Sequence, residues 1–457
     1  MSSRTAAGVG PAPRAVPDHL RRARVAVAVL FFTNGAIFAN LLPRYPEIKA
    51  SLDLSNGAFG AAVAAFPLGS LVAGLSAGAL IRRFGSARVA VTGTVLFSLS
   101  LIIAGAAPTW TLLAVGLFVG GAMDAITDVA QNSHGLWVQR LYRRSILNSF
   151  HAVWSIGAVS GGIMGAAIAE AGVSTTVHMV ISAAVFTVAA LLAYRWLLRG
   201  PEPRDVEADP ASALPGVDQD ADQTADVPAT APPAPQVSMS FVLRWGTLLA
   251  LVVIAAAGGV VEDAGSSWAA IYLTGTFGTT AFVASLGFIA LQGMQFVGRL
   301  LGDRLVDRFG QRAVARTGGV IVFVGTGAAL AFPSTVGTIV GFGLAGFGVA
   351  TLIPAAMHAA DQLPGFAPGT GLTIVGWLLR LGFLATPPLV GAVADASSLR
   401  VGLLVLPLAG LLVIVFAQVL STRQTARPAE SDVPVEPAGE PADAPAGDPA
   451  GEASPPV

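Results

Sequence analysis

The sequence predicts an all-α membrane protein, with twelve transmembrane helices in two pseudo-symmetric six-helix bundles. Composition is the first observation behind this. A chain of 457 residues with 54% hydrophobic and 12% charged residues, and a mean hydropathy of +0.70, is too apolar for a soluble globule and too long for one core. The second is segmentation. Apolar stretches of about 20 residues, the length a helix needs to cross the hydrocarbon, begin near Val25, Gly57, Ala87, Trp110, Asn148, Ser174, Trp245, Ala281, Val314, Val336, Thr370 and Leu399. The third is a repeat. The octapeptide Arg82-Arg83-Phe84-Gly85-Ser86-Ala87-Arg88-Val89 returns, 225 residues later, as Asp307-Arg308-Phe309-Gly310-Gln311-Arg312-Ala313-Val314. Each copy follows one apolar run and precedes another, so the two halves share one basic turn.

The arginines orient the spans, because short cytoplasmic loops retain positive charge. With the N-terminus inside, 22 of the 26 Lys and Arg residues lie on the cytoplasmic side, only Arg44, Lys49 and Arg400 face out, and Arg380 falls within a span. Both termini are then cytoplasmic. Residues 1–19 are polar and lack the apolar core of a cleaved signal. Residues 20–199 form the first bundle, and 200–243, rich in Pro, Asp and Ala, read as a disordered cytoplasmic linker. Residues 244–423 form the second bundle and 424–457 a disordered acidic tail. The net charge of -1 gives no reason to expect nucleic acid, and the absence of Cys excludes disulfides and thiol chemistry.

The same offset aligns Gly116, Gly120, Gly121 and Ala125 with Gly341, Ala345, Gly346 and Ala350, and Gly157 and Glu170 with Gly382 and Asp395. Parallel six-helix repeats build a two-lobed body with its site at the lobe interface, near the bilayer midplane. The duplication therefore points to a central cavity.

Here the chain resembles the major facilitator superfamily, over residues 20–423. In that family the turn between helices two and three, repeated between eight and nine, is similar to Gly-x-Leu-x-Asp-Arg-x-Gly-x-Arg. Leu305-Val306-Asp307-Arg308-Phe309-Gly310-Gln311-Arg312 fits it, with Asp303 at the leading Gly, whereas Gly78-Ala79-Leu80-Ile81-Arg82-Arg83-Phe84-Gly85 lacks the Asp. Asp128-Val129-Ala130-Gln131-Asn132-Ser133-His134-Gly135, Phe150-His151-Ala152-Val153-Trp154-Ser155-Ile156-Gly157, and Glu262-Asp263-Ala264 with Trp268 resemble a poorly characterised bacterial branch distantly related to sugar-permease-like members. The resemblance implies a secondary transporter working by alternating access. It also implies a cytoplasmic gate of Asp307, Arg308, Arg312, Arg82 and Arg83, in which Asp307 addresses the N-terminus of helix five near Asn148. Arg82 cannot act likewise against a positive helix end, so it is expected to pair with Asp361.

Helix four carries the most informative polar side chains. Gly116, Gly120, Asp124, Asp128 and Asn132 recur every four residues and so form one slowly drifting stripe. Small residues let a neighbouring helix approach. An acidic residue near the bilayer centre costs about 2.5–3.5 kcal/mol, so Asp124 and Asp128 are expected to face the cavity or a partner helix. In helix seven, Gly258 and Gly259 precede Glu262 and Asp263, and an interrupted helix beside carboxylates suits ion contact. Asp124, Asp128, Glu262 and Asp263 are the proton-coupling candidates. Arg380 needs an anion, either a solute or one of Glu262, Asp263 and Asp124. Arg380, Asn34, Asn132 and Trp268 are the solute-binding candidates, although Trp110, Trp245 and Trp268 also fit an interfacial belt. Arg44 with Pro43 and Pro46 is expected to end helix one.

The expected cycle couples a small organic solute to protons: protonation of Asp124 or Glu262 removes a charge that pairs with Arg380. Gly157, Gly161, Gly162 and Gly165 loosely follow an exporter spacing, and Pro387-Pro388 stiffens or kinks helix eleven. Export is the reading adopted; import of a sugar or organic acid with protons is the alternative, and a sensor or assembly factor that moves nothing is a second. His134, His151, His178 and His358 lack metal-ligand spacing and read as interfacial polar residues. No phosphate-cradling loop or nucleophile and base pair is present, so neither catalysis nor a cofactor or metal is expected. The protein is expected to be a monomer among membrane lipids.

Overall fold

The computed structural model describes residues 16–142, 144, 146–199, 240–367 and 369–422; the remaining parts of the expected terminal segments and linker lie outside these. Among the described residues twelve helices are long and apolar enough to span a bilayer. They are α1 Asp18–Ser51, α2 Asn56–Gly74, α3 Ser86–Gly105, α4 Trp110–Tyr142, α5 Leu147–Glu170 and α6 Thr175–Tyr194, then α7 Phe241–Phe277, α8 Ala281–Phe309, α9 Gln311–Ala331, α10 Thr335–Asp361, α11 Thr370–Ala396 and α12 Leu399–Val419. Serine and threonine caps start many of them. Ser55, Ser174, Ser240, Thr280, Ser334 and Ser398 each accept a backbone N–H from three residues on, satisfying one of the orphan donors of a helix start.

The two halves pack alike. In the first, α1 lies against α5 and α6, α2 against α4, and α3 against α4 and α6; in the second, α7 lies against α11 and α12, α8 against α10, and α9 against α10 and α12. The repeated glycines explain the matching contacts. A Cβ on Gly121 would meet the Phe66 carbonyl of α2, and one on Gly346 would meet the Leu291 carbonyl of α8, at the equivalent crossing. Both basic turns also share a backbone requirement: Gly85 and Gly310 adopt φ of 85° and 83°, a region open to glycine and costly for other residues. Behind each turn lies an apolar cleft, lined by Leu80, Phe84 and Gly93 in one half and by Leu305, Phe309 and Gly318 in the other.

Two helices differ from expectation. Gly258 and Gly259 do not interrupt α7, which is one helix through Phe277. Their bare surface instead admits Leu352 and Ile353 of α10 and Leu379 and Phe383 of α11. The first α-helix of this span ends at Leu41, before Pro43 and Pro46, as expected, but the span does not stop there. The chain continues through a 3-10 turn at Leu42–Arg44 into a further helix Tyr45–Ser51, because each proline sits in the first turn of its segment, where its missing N–H costs nothing. Pro387 and Pro388 lie inside an unbroken α11.

The halves meet away from the basic turns. There the start of α2 packs against the end of α11, α5 against α8, and the end of α1 against α7. A Cβ on Gly60 would strike the Pro387 carbonyl, and one on Gly391 the Asn56 carbonyl. At the end carrying the basic turns, Arg82, Asp307 and Asp361 are exposed and form no hydrogen bond or ion pair among the described residues. The chain is thus closed at the far end and open at the basic end.

Candidate functional site

The stripe on α4 faces inward, and the two carboxylates on it have different surroundings. Asp124 is partly buried and accepts the amide of Asn34 on α1 at 2.8 Å. Asn34 is itself held, since its carbonyl oxygen accepts from Trp154 Nε1 of α5 at 2.8 Å. Three helices are therefore joined at one amide. The backbone allows this because Gly35 lies against the Trp154 carbonyl and Gly157 against that of Phe32, so α1 and α5 run in contact.

Asp128, one turn on, is exposed to the space between the halves. Gln131 and Asn132 of the same helix donate to Asp128 Oδ1 at 3.3 and 3.0 Å. Asn132 also donates to the Asp128 carbonyl at 2.8 Å, so its amide is spent on its own helix. The charges that act on Asp128 from other helices are His151 of α5 and Arg380 of α11. Arg380 is exposed and has no hydrogen bond or ion pair among the described residues.

This corrects the expected partners of Arg380. Asp124 is taken by Asn34. Glu262 accepts from Gln295 of α8 at 2.8 Å and lies 3.9 Å from Arg299, one turn further along α8. Asp263 Oδ2 is buried without a hydrogen-bond partner, and its charge acts on Tyr45 at the end of α1. The acid left facing Arg380 is Asp128, because α4 and α11 belong to opposite halves and both present these residues to the intervening gap.

Trp268 does not lie in an interfacial belt. It is fully buried where the halves meet, edge-on to Phe59 at 5.8 Å between ring centroids, and Phe59 is in turn edge-on to Tyr45 at 5.2 Å. Among the described residues the Trp268 Nε1 and the Tyr45 hydroxyl have no hydrogen-bond partner. Trp110, by contrast, is 40% exposed and donates to the Ala58 carbonyl, and Trp245 is also exposed.

The gate candidates separate as well. Arg312 is bound within its own half: its backbone N–H donates to Ser421 O and its Nε to Leu420 O, which fastens the end of α12. Arg83 and Arg308 each lie over the ring of the following residue, Phe84 and Phe309, at 5.3 and 5.2 Å. Asp307 and Asn148 are not joined, nor are Arg82 and Asp361, because the basic end is open.

His178 and His134 are fully buried rather than interfacial. His178 accepts from Arg44 Nε through Nδ1 at 3.0 Å and pairs with Asn40 through Nε2 at 2.8 Å, and Asn40 reaches Ser182. His134 pairs with Ser86 at 2.8 Å and accepts from Leu198 N at 3.2 Å. Trp154, Gln295, Arg299 and His151 act on the candidate residues Asn34, Glu262 and Asp128. Arg299 lies inside α8, and its spacing of four from Gln295 is the sequence signal that both share a helix face.

The Major Facilitator Superfamily profile matches residues 27–304 and 252–446. The chain is 28% identical over 394 residues to an uncharacterized transporter, y4wD, of Sinorhizobium fredii, covering 86% of this chain and 97% of that one. It is 26% identical over 406 residues to the membrane protein MosC of Rhizobium meliloti, covering 88% and 91%. Among solved structures it resembles a variant of the nucleoside transporter NupG with a TM-score of 0.66 and 12% identity, covering 87% of this chain and 100% of that one.

Proposed function

The chain belongs to the major facilitator superfamily and is an integral membrane secondary transporter, and from that premise we propose that it exports a small organic solute in exchange for protons. The observation that carries this is the opposition of Asp128 and Arg380, from different halves, both exposed to the gap and neither bonded to the other. Opposite charges across a closing cavity attract, increasingly so as water leaves. An ionised Asp128 therefore favours drawing the basic end shut, and a proton on it removes that attraction. A solute carrying an acceptor for Arg380 competes with ionised Asp128 for the same guanidinium, so solute binding and the protonation of Asp128 are linked.

Asp124, held by Asn34 and Trp154, is the second proton-carrying group on α4. Glu262 with Gln295 and Arg299 is its counterpart on the other side of the cavity. Asp263 has one carboxylate oxygen buried and unpartnered, an expensive arrangement for an ion, and completes the coupling set. Arg380 binds solute, Asn34 and Asn132 fix the coupling carboxylates beside it, and Trp268 with Phe59 seals the cavity floor. Asp307, Arg308, Arg82, Arg83 and Asp361 form the gate at the basic end, which positive charge assigns to the cytoplasm together with both termini. Arg312 supports that gate through α12. The transporter acts as a monomer.

Purified protein in vesicles carrying a pH indicator inside tests the coupling. Across a panel of sugars, organic acids and nucleosides, a transported solute is expected to move protons in the opposite sense. Replacing Asp128 by Asn should abolish the proton signal. Proton movement in the same sense as the solute would instead establish the import reading, and proton movement unchanged in the Asp128→Asn protein would overturn the role given to Asp128.

A further inference from the structure

The far end of the molecule carries a feature repeated as faithfully as the basic turns. Asp395, at the end of α11, accepts the backbone N–H of Asn56 at 2.8 Å through Oδ1 and that of Gly57 at 2.7 Å through Oδ2. Glu170, the last residue of α5, accepts the backbone N–H of Phe282 at 3.0 Å through Oε2. These bonds join opposite halves. Each carboxylate caps the first turn of a helix in the other lobe, α2 in one case and α8 in the other.

The offset of 225 residues relates every part of this arrangement. It carries Glu170 to Asp395, Gly57 to Phe282, and the cap Ser55 to Thr280. Both caps satisfy the N–H three residues on, at Ala58 and Val283, and leave the intervening N–H groups pointing out of the helix. A carboxylate suits that position twice over: it accepts the free N–H groups, and its charge meets the positive end of the helix dipole. Gly57 allows the closer approach, since a Cβ there would lie 2.9 Å from Asp395 Oδ2. Asp395 accordingly engages two donors where Glu170 engages one.

We infer that Glu170 and Asp395 are a paired outer gate whose bonds set the balance between inward-open and outward-open states. The inference rests on the alternating-access reading and adds two residues that act on its equilibrium. Both bonds span the seam that must part when the far end opens, so both are lost in that step. The acceptor side chains are exposed, and the other groups that act on Asp395, the side chains of Ser55 and Asn56, also lie at the start of α2 in the opposite half, so their contribution is specific to the state with the far end shut. The outer gate is intact in both copies, whereas the basic turn has lost its carboxylate in one, where Arg82 stands at the position matching Asp307. A chain with two outer caps and one inner Asp is biased toward the state open at the basic end.

The sequence contains no cysteine, so spin labels can be introduced at Leu141→Cys and Gln362→Cys, exposed sites on opposite halves at the basic end. Distance distributions in lipid nanodiscs read conformation without any solute, and so remain decisive whether or not a transported solute is found. Asp395→Ala and Glu170→Ala are each expected to lower the ratio of long to short distances by about fivefold, the scale of losing a helix cap, with Asp395→Ala the larger. The double variant should show both shifts together. Phe282→Pro supplies an independent check, because it removes the donor in a first-turn position that tolerates proline while leaving Glu170 in place; it should reproduce Glu170→Ala. A double variant with the distribution of the parent protein would overturn the gate.

Discussion

Asn34 on α1 donates its amide to Asp124 on α4 at 2.8 Å, and this bond fixes one acidic side chain in the cavity of the N-terminal half. Interhelical hydrogen bonds in membranes average about 0.6 kcal/mol and reach about 1.7. Asn34→Ala should therefore cost little stability while releasing both Asp124 and Trp154. A melting curve in detergent close to that of the parent, with solute-driven proton movement reduced on the order of tenfold, is the expected pair of results. A full proton signal would remove Asp124 from the coupling set.

Among the described residues Arg380 has no ion pair to lose, so Arg380→Gln should leave folding intact and abolish concentrative transport in vesicles. Arg380→Lys keeps the charge but not the planar fork of donors and should transport weakly. The decisive comparison is pH-gradient-driven accumulation by the three proteins at equal reconstitution; equal accumulation by parent and Gln variant would sink the coupling proposal.

Arg44 illustrates a charge committed to structure. It is 2% exposed, bonded to His178, to Glu47 at 2.6 Å and to the Val173 carbonyl at 2.6 Å. Arg44→Ala leaves these acceptors at the α1–α6 junction without their donor and should destabilise by about 3 kcal/mol. Thermal unfolding in detergent measures this, and a loss below the experimental error would show that water replaces the guanidinium.

Gly121 and Gly346 make an internally controlled pair. Any side chain at either position meets a backbone carbonyl, which cannot rotate away as a side chain can, so Gly121→Leu and Gly346→Leu should each prevent close packing of α4 on α2 and of α10 on α8. The yield of monodisperse protein should fall in both. A fall in one alone would mean that the two halves tolerate strain differently despite matching contacts.

Arg82→Asp tests the inner gate. A carboxylate at this position can meet the N-terminus of α11 when the basic end closes, as Asp307 can meet that of α5. The variant should shift the equilibrium toward the state open at the far end, in the same sense as loss of Asp395. Accessibility labelling from the two sides of the membrane reads the shift, and unchanged labelling would remove position 82 from the inner gate.

The twelve spans were legible because hydropathy at this length is a local property: every predicted start except Val25, which follows the polar first turns from Asp18, lies within a few residues of a helix start, and Gly121 with Gly346 marked the repeated crossing. Helix continuity was less legible. Gly258 and Gly259 looked like an interruption, but α10 and α11 pack against them and supply the contacts that hold α7 straight. His178 looked interfacial because its partners, Arg44 and Asn40, are more than 130 residues away in sequence.

The sequence by itself determined the membrane class, the duplication, and which polar residues lie within the spans, since burial cost and helix period depend only on residue type and spacing. Tertiary structure decided the pairing. Arg380 could have met any of several acids; the packing of α1 on α4 gave Asp124 to Asn34, that of α7 on α8 gave Glu262 to Gln295, and Asp128 was left opposite Arg380. Even the outer gate, whose carboxylates align at the repeat offset, became recognisable only when α5 and α11 were seen to end against the first turns of α8 and α2. Local patterns name the groups, but electrostatic and hydrogen-bond energies depend on distances that only the packed helices set.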